Sequence, residues 1–199
     1  MRAIQPTPMN ATRRINWLRG AIIKPMIASV FVGVSLDGFI ARPNGAYDFL
    51  PADGGDSNGY AEFMATVDAL VIGRKTFETV LAFPDWPYGN HQVVVLSSRP
   101  LDFSRVRAGR IEQMSGDPSE VVSRLSARGF KHAYVDGGIT VQNFLRAGQI
   151  QRIIINRYPV LIGDGISLFG SLPHDVQLRH VATQISKNSL VKSEYEVIP

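Results

Sequence analysis

What most constrains this chain is a repeated exchange: an apolar run of strand length, a polar or glycine-rich turn, then a stretch with helical spacing. The runs are M-I-A-S-V-F-V-G-V-S (26–35), A-L-V-I-G (69–73), Q-V-V-V-L-S (92–97), H-A-Y-V-D (132–136) and R-I-I-I-N (152–156). They are nearly continuous rather than alternating, the pattern of strands covered on both faces. Between them Tyr60, Phe63, Met64 and Val67 recur at helical spacing, and 76–81 and 139–147 read as further helices. A weaker strand at 110–114 precedes a helix start in which Asp117 caps, Pro118 takes the first position and Glu120 lies in the first turn. The end of the chain changes character: 176–186 and 190–198 read as two strands joined by Lys187-Asn188-Ser189. The expected fold is α/β, a mostly parallel mixed sheet flanked by helices with a C-terminal antiparallel hairpin. No repeat or composition break follows residue 26, so 26–199 is expected to be one domain.

Composition removes several function classes. There is no cysteine, which excludes disulfides, thiolate metal sites and thiol nucleophiles. The four histidines are scattered without ligand spacing, so no metal is expected. The net charge of +4 invites a nucleic-acid reading, but residues 1–25 carry Arg2, Arg13, Arg14, Arg19 and Lys24 with no acid. The rest holds 16 basic residues against 17 acidic, so the body is not a basic surface and no nucleic-acid partner is expected. Residues 1–25 lack a long apolar stretch and read as a disordered basic extension, consistent with a start codon placed too early. No run approaches the ~18 apolar residues of a membrane helix, and a cytoplasmic protein is expected.

Four turns fall where strands end, the edge at which open α/β sheets bind ligands. Gly73-Arg74-Lys75-Thr76 could hold phosphate on free backbone N–H groups and nearby cations, or be a glycine turn with two solvated charges. Ser97-Ser98-Arg99-Pro100 could form an anion fork, since Arg offers paired planar donors, or be an ordinary loop. Asp136-Gly137-Gly138 lets backbone approach a ligand closely, or is a tight turn. Gly163-Asp164-Gly165 is a loop or a pocket wall. The stretch from Leu36 to about Ser57, with Asp37-Gly38 and Asn44-Gly45, reads as an unusually long loop, a kind more often functional than idle. Three anion-friendly turns suit a dinucleotide, yet neither G-x-G-x-x-G nor G-x-x-x-x-G-K-[ST] is present.

In this order the segments S-L-D-G-F-I-A (35–41), V-I-G-R-K-T-F (71–77), V-V-L-S-S-R-P (94–100), V-D-G-G-I-T-V-Q-N-F-L (135–145) and P-V-L-I-G-D-G-I-S-L-F (159–169) resemble the dihydrofolate-reductase-like superfamily. The likeness is to the reductase domain of the bifunctional riboflavin-biosynthesis deaminase/reductase and its stand-alone relatives, without the deaminase half. It covers residue 26 to the C-terminus. The resemblance implies a cytoplasmic NADPH-dependent reductase acting on a small-molecule substrate, as a homodimer.

The resemblance also implies residue roles. Gly73, Arg74, Lys75 and Thr76 would hold the diphosphate and adenosine side, and Ser97, Ser98 and Arg99 the 2′-phosphate. Gly137, Gly138, Ile139 and Thr140 would pack on the diphosphate and nicotinamide end, with Ile40, Asn44 and Gly45 in a loop closing over the nicotinamide. Asp37, Phe49, Gly163, Asp164 and Gly165 would face the substrate, Phe49 standing where the family places tryptophan. Asp37 and Asp56 are the candidate catalytic acids, Asp56 for a folate-type substrate, although Ser57 fits that spacing too. The substrate implied is 5-amino-6-(5-phosphoribosylamino)uracil or a relative. The alternatives are a dihydrofolate or pterin reductase and a non-catalytic NADP-binding dimer.

Overall fold

The computed structural model describes residues 26–51, 59–106, 109–186 and 188–199. The basic extension 1–25 and Asp56 lie outside them. The strands are β1 (Ile27–Val34), β2 (Phe39–Ala41), β3 (Ala69–Gly73), β4 (Gln92–Leu96), β5 (Arg110–Met114), β6 (His132–Asp136), β7 (Arg152–Arg157), β8 (Ile166–Ser167), β9 (Leu178–Ile185) and β10 (Val191–Val197). The helices are α1 (Tyr60–Met64), α2 (Arg74–Val80), α3 (Pro118–Ala127) and α4 (Gly138–Arg146).

Eight strands form one sheet in the order β5-β4-β3-β6-β1-β7-β10-β9, with β10 alone running against the rest. The apolar runs are continuous because both faces of the sheet are covered. Val30, Val71, Val94 and Val135 pack with Val121, Leu125, Val141 and Phe144 of α3 and α4. Their strand neighbours Phe31, Leu70, Ile72, Val93 and Tyr134 pack with Phe63, Met64, Phe77 and Val80 of α1 and α2. Successive strand residues point to opposite faces, so one run serves two hydrophobic layers. At α3, the Asp117 carboxylate accepts the Glu120 N–H at 3.0 Å, the expected cap. The terminal hairpin forms as β9 and β10, with a bulge between Glu194 and Tyr195.

Two elements differ from expectation. α2 begins at Arg74 rather than Thr76, because Gly73 hands its strand directly to the helix. The long loop after β1 is not structureless: Phe39–Ala41 pairs with Ile166–Ser167 in a separate two-stranded sheet. Three residues are too few for periodicity to reveal a strand, and its partner lies about 125 residues downstream. No helix among the described residues is long and apolar enough to cross a membrane.

At the opposite end of the sheet, His132 knits three elements together. Its Nε2 lies 2.7 Å from the Oγ of fully buried Ser29, and its Nδ1 lies 2.9 Å from the Thr66 carbonyl. One neutral tautomer satisfies both, Nδ1–H donating to Thr66 and Nε2 accepting from Ser29. Burial pushes the imidazole pKa down from its ordinary value of 6.5, with Arg152 acting in the same direction. The unfolded chain therefore takes up this proton first as pH falls. Stability is expected to be complete above about pH 6.5 and to decline below it, and His132→Gln should flatten that decline in urea melts between pH 5 and 8.

Candidate active site

β3 and β6 lie side by side, but the chain leaves them in opposite directions: from β3 through α2 to β4, and from β6 through α4 to β7. Such a switch opens a crevice at the carboxyl ends of the strands. Gly73 and Gly137 stand there as the N-caps of α2 and α4, and neither helix start has a side-chain cap. Their leading N–H groups are therefore open to an outside acceptor.

The two turns also lock together. A Cβ on Gly73 would sit 2.7 Å from Thr140 Oγ1, and one on Gly137 would collide with Thr76 Oγ1. Each threonine, on the first turn of one helix, thus fills the space left by glycine at the start of the other. Gly137 additionally has φ 94°, a conformation that favours glycine.

Next to this lock, a Cβ on Gly138 would stand 2.9 Å from Ile40 Cδ1 and 3.3 Å from Ile166 Cγ2. Ile40 and Ile166 therefore pack closely on Gly138 where β2, β8 and α4 meet. Ile139, 63% exposed, projects beside them, while Thr140 is buried. Asn44 and Gly45 shape the turn beyond β2: Asn44 Oδ1 accepts the Ala46 N–H at 3.0 Å and Arg42 N–H donates to Ala46 at 2.7 Å. Arg42 pairs with Asp48 at 2.5 Å beside half-buried Phe49.

The polar candidates divide by what already holds them. Arg74 pairs with Glu78 at 2.7 Å, whereas Lys75 is exposed. Ser97 Oγ donates to the Arg99 carbonyl at 2.7 Å and accepts its N–H at 3.1 Å, so this hydroxyl shapes its own turn. Gln113 braces the same turn by donating to the Ser97 and Arg99 carbonyls at 2.8 and 2.9 Å. The side chains of Ser98 and Arg99 are exposed at its tip.

Asp37 accepts the Gly163 N–H at 2.8 Å and the Ile162 N–H at 3.2 Å. It thereby ties the turn after β1 to the segment before β8, and the Ser35 and backbone hydrogen bonds hold its pKa below the usual carboxylate value. Gly165 packs against the Ala41 carbonyl and Phe39, and Asp164 is exposed.

Sequence reasoning passed over one side chain here. Asp136 ends β6 immediately before Gly137, half-buried among Tyr60, Tyr88 and Tyr134. Burial raises its carboxyl above the ordinary value, against the lowering effect of the Gly137 N–H and the Tyr134 hydroxyl. Burial and the nearby Asp136 charge push the Tyr60 phenol up to about 12. A raised acid beside two uncapped helix starts is a candidate for proton transfer. The signal was present as the acidic residue preceding paired glycines, but only burial separates it from an ordinary turn aspartate.

Residues 27–192 match the family model described as the RibD C-terminal domain. The chain belongs to this family. It is 31% identical over 158 residues to YwjB of Bacillus subtilis, an uncharacterized protein, covering 78% of this chain and 89% of that one. Among solved structures it resembles a candidate riboflavin biosynthesis protein of Shewanella sp. PV-4, with TM-score 0.78 and 33% identity over 87% of this chain and all of that one. It also resembles the deaminase/5-amino-6-(5-phosphoribosylamino)uracil reductase of Thermotoga maritima, with TM-score 0.71 at 15% identity, covering 88% of this chain and 57% of that one. The dihydrofolate reductase of Enterococcus faecalis, solved with NADP(H), shares the fold at TM-score 0.62 and 18% identity, over 88% of this chain and 98% of that one. The architecture is thus dihydrofolate-reductase-like.

Within this RibD-type domain the glycine–threonine lock makes an asymmetric prediction. Gly73 has ordinary extended backbone, so Gly73→Ala suffers only from Thr140, and Thr140→Ala should restore most of its lost stability. Gly137→Ala suffers from Thr76 and from its backbone as well, so Thr76→Ala should recover only part. Each glycine variant is expected to lose about 1–3 kcal/mol in thermal or urea melts.

Proposed function

We propose that the chain is an NADPH-dependent reductase of a small heterocyclic substrate, of the type that reduces 5-amino-6-(5-phosphoribosylamino)uracil. The observation that carries this reading is the meeting of two uncapped helix starts, interlocked through Gly73 and Gly137, beside the apolar contact of Ile40 and Ile166 on Gly138. The first feature suits a diphosphate, and the second offers an apolar surface to a flat ring. The family match and the fold shared with an NADP(H)-bound reductase support the same assignment. Exposed Arg99 and Ser98 would take a 2′-phosphate.

The cofactor would supply a hydride, and this chain's residues do the rest. Gly73, Lys75, Thr76, Gly137 and Gly138 bind and position it. Ile40, Ile139 and Ile166 exclude water from the reacting face. Asp136, whose carboxyl burial pushes above its ordinary value, is the group that would give a proton to the reduced substrate. Asp37 acts at one remove, fixing the two loops that carry Ile40 and Ile166 to Gly138.

The exposed length of β9, at the outer edge of the sheet, supports the homodimer expected from the resemblance. Sedimentation at micromolar concentration would find a single-mass monomer if that part is wrong.

Titrations followed by nicotinamide fluorescence should show NADPH bound more tightly than NADH. Arg99→Ala should weaken NADPH by about tenfold and leave NADH nearly unchanged; an equal loss for both would refute the 2′-phosphate role. Asp136→Asn should lower kcat about 100-fold with cofactor affinity retained. In the wild type, kcat should fall as pH rises through the elevated pKa of Asp136, and the variant should lack that limb.

A further inference from the structure

Asn156 of β7 is fully buried, yet neither its amide nitrogen nor its carbonyl oxygen has a hydrogen-bond partner among the described residues. A buried carboxamide left open at both ends costs stability, and folded proteins seldom keep one without a use. Strand alternation places it on the α1 side of the sheet, in line with Ile154 and Tyr158. Its register neighbours are Gly33 on β1 and Lys192 on β10.

Gly33, beside the amide, has no side chain, and Leu50 and Tyr158 fill the place of its missing Cβ at 3.1 Å each. On the other side, Lys192 has no ion-pair partner among the described residues and borders a groove of about 370 Å³ along α1, which runs past Phe31 and Ile154 toward Arg152. Asp136 ends β6 on the same face, and the pairing of Ser29 with Tyr134 sets it level with Phe31, two residues before Gly33. The strands β6, β1 and β7 therefore carry a half-buried acid, a glycine covered by Leu50 and an unpaired carboxamide.

We propose that Asn156 is a specificity-determining residue that reads a cis-amide edge on the substrate ring. Its Oδ1 accepts the ring N–H and its Nδ2 donates to the adjacent ring carbonyl. The ligand class is a planar heterocycle bearing a lactam, imide or ureide edge, lying on Gly33 after Leu50 gives way. A carboxamide is suited to this because it is complementary to a cis-amide in both directions, whereas a carboxylate only accepts and an ammonium only donates. The inference rests on the reductase reading for the identity of the site, but it concerns the substrate half alone.

The test is calorimetric titration of the NADPH-loaded protein with lumazine, which has such edges, and with 1,3-dimethyllumazine, whose ring N–H groups are blocked. The expected result is a preference of tenfold or more for lumazine, abolished in Asn156→Leu and Asn156→Val with NADPH affinity unchanged. Removing an unpaired amide should also leave Tm equal or raise it by ~3 °C, whereas loss of a structural amide would lower it. Retention of the preference by a folded variant overturns the proposal. So does failure of the wild type to distinguish the two compounds while NADPH binds, a result that leaves the reductase reading standing. If NADPH does not bind but the preference and its loss persist, the reductase reading falls and the role of Asn156 stands.

Discussion

The reciprocal seating of Thr140 on Gly73 and Thr76 on Gly137 sets the geometry on which the rest of the site depends. It brings two helix starts together where the neighbouring parallel strands β3 and β6 send the chain in opposite directions. With larger residues at either glycine the helices would separate, and the leading N–H groups would no longer face a common space. Those N–H groups have no side-chain caps, whereas α3 is capped by Asp117.

A second constraint acts on the loops. β2 and β8 are too short to hold their pairing alone, and the Asp37 carboxylate adds the hydrogen bonds that dock Ile162 and Gly163. Through this clasp the loop after β1 carries Ile40 to Gly138, and the segment before β8 carries Ile166 to the same point. An acid that the sequence suggests as catalytic is, in its observed contacts, a fastener of the walls.

The α1 side of the sheet shows where stability is set aside. Burial beside Tyr60, Tyr88 and Tyr134 drives the Asp136 carboxyl upward against the Tyr134 hydrogen bond, and Asn156 keeps a buried amide unpaired. Apolar residues at either position would pack better. At the start of β6, by contrast, Asp68, His132, Ser29 and Thr66 satisfy one another.

The sequence by itself determined the eight strands of the main sheet, the order of the anion-friendly turns and the terminal hairpin, because these are written in local patterns: continuous apolar runs, glycines at strand ends and a capping aspartate. Its motifs also sufficed to place the chain near its family. Only the tertiary structure decided what those residues touch. Gly73 and Gly137 looked like two separate turns, and their mutual threonine contacts join residues more than sixty positions apart. Phe39–Ala41 became a strand only through a partner far downstream. Asn156 carries no local mark and Asp136 only its place before paired glycines, since what distinguishes them is desolvation and missing partners, and burial is a property of the assembled layers rather than of any stretch of chain.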